Sequence, residues 1–431
     1  MEQTTNFKLI ISFIFGFFIV VGLVYLVISP AKKGKISGDV MIWGTYDESV
    51  MNTILSEINS SLIHAAYRKK SPTSYEDDLI EAFASGNGPD VFLLTDDMAV
   101  RFRDKTYPIP ATAMSERVFR DTFIEEGELF VNNGVIMALP VFTDPLVLYW
   151  NRDLFTSSGV SRVPDTWTEF LSVVPRLTVR SEKGEIVRPC VAVGEFSNVM
   201  HAKELLVALF LQTGSDIVKE GVGGLVLDFV SNAEDSVIRF YTDFARPGND
   251  AYTWNRSLRS DRDMFASGDL AMYVGYASEH SLIFAQNPHL NFDMAKLPTL
   301  SDDGRVATYG HMHAVAISKG TKNPAVALYA ADKMSRAASL FIDAYGVASA
   351  RRSDLDVASS VDTDSYQPII NASALISRSW LDPDGNMSYT VFKDMIESIT
   401  GGKIRNSEAI YVMEQELRQY IKDHNLGDGI R

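Results

Sequence analysis

Cysteine is nearly absent: Cys190 is the single one among 431 residues. One thiol can build neither a disulfide framework within the chain nor a thiolate metal site. The patterns H-E-x-x-H, G-x-S-x-G and the P-loop are also missing, and with them the commonest signatures of metalloproteases, serine hydrolases and nucleotide hydrolases. Basic runs interleaved with aromatic residues do not occur. The chain carries 40 Lys and Arg against 55 Asp and Glu, a net charge of -15 with a pI near 5.0. Such a field repels phosphate backbones and argues against a nucleic-acid partner, while favouring solubility. No internal repeat and no low-complexity tract is present, and nothing in the composition calls for a cofactor.

What is present begins with length. At 431 residues the chain exceeds the ~250 to 300 at which a single hydrophobic core stops growing, so two lobes are expected. Residues Leu9 to Ser29 contain no charge, and about 20 apolar residues span a hydrocarbon core of ~30 Å. This run exceeds the ~7 to 15 residues of a signal-peptide core, and no A-x-A cleavage pattern follows it. It reads as an uncleaved transmembrane anchor behind a short tail of residues 1–8, with a linker over 30–38. No cysteine directly follows the run, which excludes the usual lipoprotein attachment. Lys32, Lys33 and Lys35 follow the span and Lys8 precedes it. The positive-inside bias taken alone would place the large domain in the cytoplasm.

Beyond the linker, apolar runs alternate with amphipathic ones. Asp39–Trp43, Leu62–Tyr67 and Asp90–Leu94 read as strands. Between them, helices are expected from Asp47 to about Asn59 and, behind a capping box at Thr73 to Glu76, on to Ala84. Alternation of this kind predicts an α/β fold with a largely parallel sheet. The stretch Gly134–Phe170 is the pivot. Its β-prone runs Val135–Leu139 and Leu146–Trp150 are separated by Pro140 and Asp144-Pro145, which predicts that no continuous strand passes through. Thr166 with Glu169 three residues later then opens a helix. Farther on, helices are expected at Ala202–Leu211 and Ala233–Phe244. Strands are expected up to Gly275, at Phe292–Leu297 and at Ala314–Ser318, and a last helix from about Ser407 with Ile410, Met413, Leu417 and Ile421 on one face.

Ligands of open α/β sheets gather beyond the carboxyl ends of the strands. Those positions are Trp43 to Asp47, Thr95 to Asp97, and Thr143 and Asp144 at the crossing. Each has a plainer reading, since Asp97 can cap a helix and Asp144 before Pro145 can be a turn. Trp254, with Tyr252, Asn255 and Arg256, suits the C–H face and hydroxyls of a sugar; the alternative is that it packs beneath its own loop. His311 and His313 share a face of a strand but lack an evident third metal ligand. Asp382 to Asn386 is similar to a calcium loop, but Met387 and Lys393 stand where that loop needs Gly and Glu, which leaves a turn.

Four separated segments together resemble the extracellular solute-binding proteins of ABC transporters, family 1, the carbohydrate or maltose-binding type. They are Gly88-Pro89-Asp90 with its strand, Gly134 to Trp167, Phe265 to Gly275, and Leu297-Pro298 followed by Ala314 to Ser318. The resemblance implies a two-lobed periplasmic-binding-protein fold of type II, the Venus flytrap. Residues 38–143 with about 290–338 would form lobe 1, and 144–289 with about 339–425 lobe 2. It implies a non-enzymatic, monomeric receptor on the extracellular side of the cell membrane. The receptor would be anchored through residues 9–29 and would deliver a sugar or oligosaccharide to the permease subunits of an ABC importer. By position, Asp47, Asp97 and Asp144 would accept hydrogen bonds from the solute, and Glu195 and Phe196 match an acidic and aromatic pair. Two stacking tryptophans of the family are replaced by Leu94 and Ala277, for which Trp43, Tyr276, Trp254 or Trp380 would compensate. The rival readings are an anchored sensor or adhesion receptor that kept the binding fold, and a glycoside hydrolase using two of the carboxylates.

Overall fold

A computed structural model describes residues 36–229, 233–300, 305–355 and 366–426. The expected anchor, Leu9–Ser29, and the lysines at 32, 33 and 35 lie outside the described residues. Among those described, no helix is long and apolar enough to cross a membrane.

The first part of the chain folds as the alternation predicts: β1 (Gly38–Gly44), α1 (Glu48–Ile58), β2 (Ile63–Lys69), α2 (Tyr75–Ala84) and β3 (Val91–Thr95). Met51, Ile54 and Ile58 recur at helical spacing on α1, and all three are buried. β1 lies between β2 and β3 and is parallel to both. The expected capping box before α2 does not form. Ser74 occupies the cap position without a side-chain bond.

The chain then enters β4 (Ala138–Asn151), 14 residues long. It is followed by α3 (Trp167–Leu177), α4 (Ala202–Gln212), the hairpin β5 (Ile217–Gly221) and β6 (Gly224–Asp228), and α5 (Ala233–Asp243). Next come β7 (Met272–Tyr276), β8 (Phe292–Lys296) and β9 (Thr308–Ile317). Later elements include α6 (Pro324–Arg336), α7 (Ala338–Tyr345), β10 (Ala348–Ser349), β11 (Ser377–Arg378), α8 (Gly385–Thr400) and α9 (Asn406–Asp423). At α3 the Thr166 hydroxyl accepts from the Glu169 N–H at 3.2 Å, as its spacing predicts. On α9, Ile410, Met413, Leu417 and Ile421 are all buried.

The sheet runs β7-β4-β9-β3-β1-β2, with β8 and β10 beside β4 and β11 beside β9. It is mixed, because β9 is antiparallel to both β3 and β4. β4 corrects the expected break at Pro140 and Asp144-Pro145: one strand passes through all three residues. Local rules mislead here because β4 changes partners along its length. Residues Ala138 to Pro145 pair with β9, across a register shift at His313/Ala314, and Leu146 to Asn151 pair with β7 and β8. Pro140 lies beside the irregularity and Pro145 is the last residue paired with β9. A missing N–H costs little at a bulge or at the end of a ladder. β4 thus carries the chain from one half of the molecule to the other, with β9 and the short β11 beside it.

Candidate functional site

The segments that leave β1 and β7 face each other across β4 and β9. Thr45, Tyr46 and Asp47 follow β1, while Ser278, Ser281 and Leu282 follow β7. Phe142, Asp144 and His313 come from the crossing strands, and Ala344, Tyr345 and Val347 from the end of α7. Together they line a cavity of about 410 Å³, within the ~300 to 1,000 Å³ usual for small-molecule sites. The position follows from topology, since strand ends leave backbone and side chains free to point at a ligand.

Two carboxylates border this cavity. Asp47 is exposed and paired with Lys69 at 2.6 Å, and its backbone N–H donates to the Tyr345 hydroxyl at 3.0 Å. Asp144 is buried, and its Oδ1 accepts from the Ser278 N–H at 3.1 Å. Burial pushes its pKa up to about 6, against the lowering effect of Ser278 and the nearby His311. The rings pack closely: Phe142 stacks on His313 with centroids 4.4 Å apart, and Tyr46 lies 5.8 Å from Phe142. Burial and the neighbouring His311 hold His313 well below the ordinary histidine range, so it is neutral.

Behind the cavity, two buried carboxylates gather the crossing strands. Asp96 accepts from His311 Nδ1 at 2.7 Å, from the Ser379 hydroxyl at 2.6 Å and from the Tyr309 hydroxyl. Burial alone would lower His311, but the charge and hydrogen bond of Asp96 outweigh it and raise the imidazole to about 10. Glu126 Oε2 accepts from Thr143 at 2.8 Å and from Ser377, while Oε1 is buried without a hydrogen-bond partner. Burial lifts Glu126 to about 7. A Cβ at Gly310 would collide with this carboxylate, which explains glycine there. Asp96, Asp97 and His311 bring ligand atoms within 4.8 Å of one another. Asp96 and His311 already neutralise each other as an ion pair.

Of the nine residues expected at the site, Asp47 and Asp144 line the cavity. Tyr276 ends the strand whose continuation lines it, and its ring lies 5.8 Å from that of His311. Asp97 sits instead against Gly385 at the start of α8, accepting from the Thr95 hydroxyl. Trp43 is buried with the Lys70 ammonium 4.0 Å from its ring centroid, so that face is already covered. Glu195 is buried and paired with Arg256 and Thr400, and Phe196 is buried against Tyr389. Trp380 is buried beside Phe392 and Lys203. Trp254 is fully buried, its indole N–H donating to Asn198 Oδ1 at 3.1 Å. It packs beneath its loop and offers no face to a solute, which corrects the stacking role expected of it. The calcium-like run is a helix cap: Asp384 accepts from the Asn386 and Met387 N–H groups.

A larger cavity, about 750 Å³, lies between residues 100–105, Asn132 and Asn133 on one side and the β5–β6 hairpin and the end of α9 on the other. Its cations are engaged in ion pairs, Arg101 with Glu76 and Asp384, Arg103 with Glu220, and Lys105 with Asp104. None of the nine expected residues lines it.

Comparisons with known proteins accord with this arrangement. A family model described as bacterial extracellular solute-binding protein matches residues 71–339. A binding protein of Brucella abortus is 22% identical over 213 residues, 48% of this chain. The match spans about half, 47%, of that relative's length. Among solved structures, the sugar-binding protein of Xanthomonas citri superposes with a TM-score of 0.74 at 18% identity, covering 90% of this chain and 98% of that one. The cyclic α-maltosyl-1,6-maltose-binding protein of Arthrobacter globiformis gives 0.72 at 14% identity, with 90% and 100% covered. A solute-binding protein of Thermotoga lettingae bound to α-D-tagatose gives 0.67 at 18%, with 89% and 100% covered. At these identities the likeness establishes the two-lobed α/β fold.

Proposed function

The chain belongs to the bacterial extracellular solute-binding protein family, and from that premise we propose that it captures a sugar between its lobes and delivers it to an ABC importer. The observation that carries this reading is the cavity where the ends of β1 and β7 meet across the crossing strands, bordered by Asp47 and Asp144. Carboxylates accept from sugar hydroxyls, Ser281 and Tyr345 add hydroxyl groups, and the rings of Tyr46 and Phe142 supply apolar contact. The sugars named for the structural neighbours support the same class. A solute touching both sides binds the closed arrangement better and shifts the population toward it by that difference in affinity, with no bond made or broken.

In this proposal residues 9–29 tether the receptor to the outer face of the cell membrane, supported by their uncharged, apolar composition. Deleting them should release the protein from washed membranes, and a truncated chain that stays membrane-bound would remove the anchor from the reading. The solute is tested by thermal unfolding of the full-length chain against a panel of sugars. Ligand at ~100 times its dissociation constant adds about 2.7 kcal/mol of stability. Asp47→Ala should shrink that shift while leaving the ligand-free midpoint nearly unchanged, because so exposed an ion pair contributes little to stability. A flat response across all sugars overturns the proposal.

A further inference from the structure

The cavity has an unbalanced charge. Among its lining residues are two carboxylates and no lysine or arginine. Asp47 is neutralised by Lys69 at 2.6 Å. Asp144 makes no ion pair among the described residues; its hydrogen bonds come from the neutral Ser278, whose N–H donates at 3.1 Å. The charged and titratable groups around it leave the imbalance in place. His311, opposite it on β9, is committed to Asp96, and His313 beside it is neutral. Glu279, next to Ser278, is paired with His201 at 2.9 Å.

A buried carboxylate without a cation is costly. This one stands at the wall of a cavity whose other lining includes the rings of Tyr46, Phe142 and Tyr345. Aromatic rings beside a carboxylate attract a cation, because the ring quadrupole and the negative charge act in the same direction. Hydroxyls alone would leave that charge uncompensated. We propose that the solute carries an ammonium group, as an amino sugar does, and that Asp144 is the residue that pairs with it. This inference rests on the reading of the cavity as the solute site and narrows its substrate class. The overall charge of -15 would steer such a cation toward the protein. The elevated pKa of Asp144, about 6, adds a signature: the pair needs the carboxylate ionised, so binding should weaken in acid.

The test measures binding to the full-length chain by calorimetry with matched probes: D-glucosamine against D-glucose, the corresponding β-1,4-linked disaccharides with and without amines, and putrescine as an amine without a sugar. The amino sugar is expected to bind at least tenfold more tightly than its neutral partner at pH 7. Its affinity should fall about tenfold between pH 7 and pH 5, following the ionised fraction of a group titrating near 6. Asp144→Asn keeps the shape and the acceptor for Ser278, and should bring the two sugars within about twofold of each other. Asp47→Asn, whose charge is already matched by Lys69, should weaken both sugars alike and so preserve the preference between them. A neutral sugar binding as well as its amine partner overturns the inference and leaves the sugar-receptor reading standing. Binding of putrescine but of no sugar supports the ammonium site and overturns the sugar reading. No binding of any probe overturns both.

Discussion

Glu126→Gln should change the pH dependence of stability in a way that isolates the buried carboxylate behind the cavity. Glu126 is 3% exposed, and burial raises it to about 7 from an ordinary 4.5. A carboxyl with a raised folded-state pKa binds its proton more tightly in the native state. The native protein is therefore favoured in acid and loses stability as pH rises from the unfolded pKa through the folded one. Taking those two values, the loss between pH 5 and pH 8 amounts to about 2 to 3 kcal/mol. Glutamine keeps an acceptor for Thr143 and Ser377 and cannot ionise. Urea unfolding of both proteins at pH 5 and pH 8 should show the variant gaining on the wild type by about 2 to 3 kcal/mol at the higher pH. The comparison is of differences, so any constant cost of the amide cancels. Parallel stability curves would refute the reasoning, because they would mean that the Glu126 carboxylate is solvated or is compensated by a cation.

Lys203 and Asp382 form a buried ion pair at 2.6 Å, with Ser388 also donating to Asp382. Lys203→Met should cost about 3 to 5 kcal/mol by leaving a buried carboxylate unpaired, and adding Asp382→Asn should recover at least half, read by chemical unfolding; a single variant within about 1 kcal/mol of wild type would refute this. For Trp254, fully buried and bonded to Asn198, replacement by Ala should cost about 3 to 5 kcal/mol. Trp254→Phe should cost less, chiefly by orphaning Asn198 Oδ1. Both should bind solute as the wild type does below their melting temperatures; lost affinity at unchanged stability would return the ring to the site.

Much of the fold is legible in the sequence because it is local. The strands and helices from Gly38 to Thr95 follow hydrophobic period and end signals, and Thr166 caps its helix as its spacing from Glu169 requires. Pro140 and Pro145 were misleading for a non-local reason: their tolerance in β4 depends on β9, whose pairing residues lie more than 150 positions away. The site divides in the same way. Asp47 follows β1, whose position is readable, whereas Asp144 is singled out only as a crossing residue, and the strand that carries it is not expected. Asp96 and Asp97 are adjacent, and which one turns inward is decided by Tyr309, His311 and Ser379. No local pattern distinguishes them. Trp254 shows the same limit for aromatics: a ring in a polar loop looks alike in sequence whether it faces out to a solute or in toward the core. Tyr46 falls within the strand-end stretch Trp43 to Asp47, but Phe142 only adjoins Thr143, and its packing on His313 is what reveals it as cavity wall.

The two buried carboxylates behind the cavity give the crossing a mechanical character. Glu126 takes donors from β4 and β11, and Asp96 takes donors from β9 and from Ser379 just beyond β11. All three crossing segments therefore share acceptors on one side. If one segment moved alone it would strand a buried polar group, at a cost of about 1 to 3 kcal/mol, so the segments are constrained to move together. Discrete arrangements are favoured over a continuum of bends, which is the condition a population-shifting receptor needs. The cavity is joined to the same elements: Asp144 follows Thr143 directly, and His313 stands two residues from His311. If Asp144 binds the solute as proposed, a pull on it would act on a strand already tied to Glu126 and lying beside the strand tied to Asp96, with no intervening relay.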